Sequence, residues 1–210
     1  MKPPLIATLV FCSLLGMLML LFCAQPERPK GIVLQHPTGS YNPYNAVNNR
    51  FSLNLPAGWA VAEYTGNVML KATAPAPDSG NNTESYAENI VIETLPLSTV
   101  YNYPSSKTDS LPPFNLNALG RWFFDDLQVK TYDYKVIEIG ETLINNNHAA
   151  QFLYSYNNPQ EYNGELKAIS YLFIQDHRVV LATCTEFSGT FNKKRKMFEY
   201  VVQSMRFPFT

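Results

Sequence analysis

The chain has 210 residues, of which 46% are hydrophobic and only 16% charged. That balance is too apolar for a disordered chain, and the length suits one domain with a buried core. A formal net charge of -1 supplies no overall basic field, which argues against nucleic acid as a partner.

Residues 1–24 are read as a signal or anchor segment. Leu5 to Ala24 carry no charge, and a helix of that length is about 30 Å long, the thickness of a bilayer core. Leu20-Leu21-Phe22-Cys23 resembles a bacterial lipobox, with Phe22 where a small residue is expected. Two fates stay open: a lipoprotein modified at Cys23, or an uncleaved signal anchor. Either one places the domain on the membrane, on the periplasmic or another extracytoplasmic side. Cys12 and Cys23 both lie in this segment, so Cys184 is the one cysteine left to the domain and no disulfide forms within it. Residues 25–49, with Pro26, Pro29, Pro37 and Pro43, read as a Pro- and Asn-rich tether.

The domain is expected over 50–210. Phe51, Leu53 and Leu55 alternate with polar residues as a half-buried strand, and Pro56-Ala57-Gly58 turns the chain. Val68-Met69-Leu70 and NIVIETL at 89–95 are further strands, with a polar loop between them at 73–88 and another after them at 96–113. Asn115 or Asn117 caps a helix whose Leu116, Leu119, Phe123 and Leu127 share one side. Lys135 to Ile139 pairs with Ala150, Phe152, Tyr154 and Tyr156 across an Asn145-Asn146-Asn147-His148 turn. LKAISYLFI and VVLATCTE, joined by Gln175-Asp176-His177-Arg178, are apolar on both faces. Such strands need cover on both sides and belong at the centre of a sheet. Thr190 is expected to cap the last helix, whose Phe191, Phe198, Val201, Val202 and Met205 form one stripe. Hairpins and flanking helices together predict an α+β fold, a largely antiparallel sheet between helices in three layers, α/β/α.

RFSLNLPAGW at 50–59, NIVIE at 89–93, INNNHAAQFLYSY at 144–156 and the pattern from Lys167 to Phe207 carry a resemblance. In order and spacing they resemble the PsbP-like fold family, closest in character to its bacterial DcrB-type lipoproteins. The resemblance implies a non-enzymatic scaffold that binds or assembles other proteins. A photosystem-associated role is a further possibility that it raises.

Two groups of residues are candidate sites. Lys193, Lys194, Arg195 and Lys196 stand in the early turns of the last helix, where positive charge opposes the helix dipole. That placement suggests a contact for an acidic protein surface or a lipid phosphate, against the plainer reading of a solvated helix face. Tyr41 and Tyr44, Tyr101 and Tyr103, and Tyr156 and Tyr162 fall in three predicted loops. Tyrosine offers a flat apolar ring with a polar tip, suited to protein interfaces or to stacking on sugars. Asp125 and Asp126 diverge on a helix, and the three histidines have no metal-ligand spacing. No nucleophile elbow, zinc-protease, P-loop or dinucleotide motif is present. The expected function is a tethered, non-enzymatic envelope protein without a cofactor, acting as an assembly factor for an envelope protein partner. The alternative is a lipoprotein that binds a glycan or peptidoglycan fragment.

Overall fold

A computed structural model describes residues 37–46, 50–64, 66–75, 88–101, 114–157 and 164–207. The anchor, the lipobox with Cys23, Tyr103, Tyr162 and His36 lie outside the described residues. Among the described residues no helix is long and apolar enough to cross a membrane.

The elements are β1 (Tyr41–Asn45), β2 (Ser52–Pro56), β3 (Ala60–Glu63), β4 (Val68–Thr73) and β5 (Asn89–Pro96), then helices α1 (Leu97–Tyr101) and α2 (Leu116–Lys130). The long strands β6 (Tyr132–Ile144), β7 (Asn147–Asn157), β8 (Glu165–Gln175) and β9 (Arg178–Phe187) follow, and α3 (Ser188–Gln203) comes last. Seven strands form one antiparallel sheet in the order β3-β4-β5-β9-β8-β7-β6. β9 is its middle strand, with β8 beside it, as strands apolar on both faces require. The β6–β7 and β8–β9 hairpins close on two-residue turns with positive φ at Asn145 and Asn146 and at Asp176 and His177. Asn and Asp tolerate that backbone, and the matching twist keeps the strands paired.

The two sheet faces build two cores. On one, Ile169, Tyr171 and Phe173 of β8 and Val180, Ala182 and Cys184 of β9 meet Phe191, Phe198, Val201 and Val202 of α3. On the other, Ala168, Leu172, Val179 and Leu181 meet Leu119, Phe123 and Leu127 of α2, with Phe123 stacked on Phe152 at 4.8 Å. Asn115 is the N-cap of α2, its Oδ1 accepting the Ala118 N–H at 3.0 Å. The result is the expected α+β fold in three layers.

Three local expectations change. Thr190 lies inside α3 rather than at its cap: Glu186 reaches forward, its Oε1 accepting the Phe187 N–H at 2.7 Å and the Thr190 hydroxyl at 2.9 Å. The stretch after Pro96 opens with α1 rather than loop. Tyr41–Asn45, in the stretch read as tether, is a strand, β1, paired with β2. Pro43 fits there because β1 is an edge strand, where a missing N–H is tolerated. The β1–β2 pair lies against α3: Asn54 N–H donates to Ser204 Oγ at 2.8 Å, and Ser52 and Arg206 exchange two backbone hydrogen bonds at 2.8 Å.

Candidate functional site

A cleft of about 670 Å³ opens between α3 and the stretches that flank β1 and β2. Its walls are residues 37–41, the turn Pro56-Ala57 with Trp59, Glu88 just before β5, and Lys193, Lys194, Lys196 and Met197 of α3. That volume is within the range of small-molecule pockets. The Ala57 N–H donates to the Ser40 carbonyl at 2.9 Å, which holds one wall to the other. Gly58, at φ 85, makes the turn that brings Trp59 to the cleft, a backbone angle few other residues adopt.

The helix repeat divides the basic run. At about 100° per residue, positions 193, 194, 196 and 197 fall within about 160° of arc while 195 points away. Lys193 and Lys196 are exposed at the cleft and Lys194 is half-buried. Arg195 is held elsewhere. Its Nη1 and Nη2 each lie 3.1 Å from a carboxylate oxygen of Glu138 on β6, and its Nε donates to Glu199 at 2.8 Å. These charge-assisted bonds push its pKa up. Arg195 is therefore a tie between α3 and β6, apart from the cleft.

Glu88 was not singled out from sequence, because a lone glutamate ahead of a strand carries no pattern. In the structure it is only 9% exposed and forms part of the cleft wall. Its Oε1 accepts from Lys194 Nζ at 3.1 Å. Its buried Oε2 meets no N–H or hydroxyl donor among the described residues, and the neighbouring group is the carboxyl of Glu186. Two carboxyls can hydrogen-bond only with a proton between them. Burial, followed by this contact, raises the Glu88 pKa against the opposing pull of Lys194.

The tyrosines do not converge. Tyr41 lines the cleft, its ring packed edge-on against Tyr200 at 4.7 Å. Burial, then the neighbouring Tyr200, raises its pKa. Tyr44, further along β1, donates to Glu63, and burial together with this bond pushes its pKa up to about 12. Tyr101 and Tyr156 are half-buried against the opposite core. Tyr156 stands in β7, the hairpin strand that its alternation with Phe152 and Tyr154 predicts, and stacks on Tyr154 at 5.9 Å. Cys184 is fully buried, and burial raises its thiol pKa. No group of three or more His, Cys, Asp or Glu side chains among the described residues is arranged to hold a metal ion.

No family model and no curated protein matches the sequence. Solved structures do match its fold. PsbP from the cyanobacterium Synechocystis sp. PCC 6803 aligns with a TM-score of 0.53 at 13% identity, over 87% of this chain and 99% of its own. The Saccharomyces cerevisiae Ran-binding protein Mog1p aligns at 0.54 and 10%, over 81% and 96%. LpqN of Mycobacterium tuberculosis, involved in cell envelope biogenesis, aligns at 0.50 and 9%, over 86% and 98%. The chain thus shares the fold of these proteins, and the likeness does not single out a DcrB-type lipoprotein.

Proposed function

We propose that the chain is a membrane-tethered, non-enzymatic binding protein whose cleft takes an acidic saccharide, such as a peptidoglycan fragment bearing a carboxylate. One observation carries the reading: Tyr41 and Trp59 share a cleft with Lys193, Lys194 and Lys196. Aromatic rings cover the apolar faces of a sugar, while ammonium groups recognise its charge. The fold neighbours agree with a binding role in their diversity, and LpqN, involved in cell envelope biogenesis, is of the same fold. The tether rests on the uncharged stretch from Leu5 to Ala24, with Cys23 as the residue lipidated in the lipoprotein case.

N-acetylmuramic acid, whose lactyl group carries a carboxylate, should bind the full chain in neutral detergent more tightly than neutral N-acetylglucosamine. Trp59→Ala should weaken both sugars, by about tenfold for a loss of about 1.4 kcal/mol. Lys193→Glu with Lys196→Glu should remove the preference for the acid. Calorimetry that finds equal affinities, or variants without effect, contradicts the reading.

The exposed Lys193 and Lys196 favour a second reading, in which the same face docks an acidic envelope protein as an assembly factor. Cross-linking in intact cells would then capture a partner near one-to-one, and the charge-reversed variant would lose it.

A further inference from the structure

Glu88, in the cleft wall and beside the carboxyl of Glu186, has a consequence for what the cleft binds and when. Glu186 accepts the Phe187 N–H and the Thr190 hydroxyl on its Oε1, and the buried Oε2 of Glu88 faces this carboxyl rather than a donor. Lys194 sits 3.1 Å from the other oxygen of Glu88. Among the described residues, the charged groups around Glu88 are Glu186 at the end of β9 and Lys194 on α3, with Lys193 and Lys196 along the same wall.

We propose that the cleft captures its anion together with a proton on Glu88, so that binding strengthens as the medium becomes more acidic. This rests on the anion-binding reading of the cleft. With the proton in place, Glu88 is neutral and the charge of Lys194 is available to a ligand carboxylate. When the proton leaves, a second negative charge appears beside Glu186, Lys194 is neutralised as an ion pair, and an incoming anion meets repulsion from the wall. The ligand carboxylate is ionised well below the neutral range, so Glu88 sets the slope. Burial of Glu88 supports this by favouring its neutral form.

The test is calorimetric titration of the full chain in neutral detergent with N-acetylmuramic acid, from about pH 5 to about pH 8, in buffers of different ionisation enthalpy. The wild type should lose roughly tenfold in affinity over that range, as expected for one unscreened charge a few ångströms from the ligand, and should take up protons on binding. Glu88→Gln, whose amide can donate to Glu186 as the protonated acid does, should bind with the low-pH affinity at every pH and with no proton uptake. Equal slopes in the two proteins, or no proton uptake by the wild type, overturn the proposal. Absence of binding at every pH overturns the anion-binding reading itself, and is distinguishable from a flat profile. Carbon-13 NMR of the Glu88 carboxyl without ligand is the independent check, because titration in the ordinary glutamate range overturns the proton-coupled cleft.

Discussion

A buried carboxyl needs either a donor or a proton: one oxygen of Glu88 has a donor in Lys194, and the other lies beside the carboxyl of Glu186. The sign of its effect on stability follows from its raised pKa. Its favourable contribution is complete below the unfolded value, near 4.5, and is lost as pH rises through the higher folded value. Differential scanning calorimetry of wild type and Glu88→Gln should therefore show a Tm difference that moves in favour of the variant from about pH 5 to about pH 8. Each kcal/mol corresponds to roughly 2–4 °C in a chain of this size. A difference that is flat with pH would mean that Glu88 titrates alike in the folded and unfolded chain. Nothing in the sequence marks this residue, since its importance comes from Glu186 and Lys194, which are about a hundred positions away along the chain.

At the scale of elements, α3 covers one face of the sheet and also forms a wall of the cleft. Phe198 is fully buried against that face and packs near Phe191, with ring centres 5.8 Å apart. Phe198→Ala should lower unfolding free energy by about 3–5 kcal/mol in chemical denaturation, because the emptied volume cannot be refilled by its neighbours. A loss under about 1 kcal/mol would mean that α3 is not a fixed part of the core. The helix stripe was legible in the sequence, as were β8 and β9, because burial on both faces leaves a continuous apolar run. The Asn115 cap and the turns at Asn145-Asn146 and Asp176-His177 were legible too, since their chemistry is local. β1 was not. Its YNPYN has no apolar alternation, and it is held by non-local pairing with β2 and by Tyr41 against Tyr200.

For the whole molecule, the two cores hold the sheet from both sides and leave the cleft where the β1–β2 pair meets α3. The sequence marked the lysine run and Tyr41 as separate candidates, and the fold places three lysines and that tyrosine around one space. The same fold sends Arg195 to Glu138 and leaves Tyr101 and Tyr156 against the opposite core. Periodicity along one helix can separate position 195 from its neighbours. It cannot say that residues 37–41 and 56–59 return to meet them, because that depends on strand pairing across the chain. The cleft is therefore a product of topology, built from segments far apart in sequence.

The most direct test of the cleft as the binding site is amide chemical-shift mapping of the full chain with N-acetylmuramic acid. The account predicts perturbations confined to residues 37–41, 56–59 and the Lys193–Met197 turn of α3, much reduced with N-acetylglucosamine. Perturbations centred on Tyr101 and Tyr156, or no perturbation at saturating sugar, would contradict it.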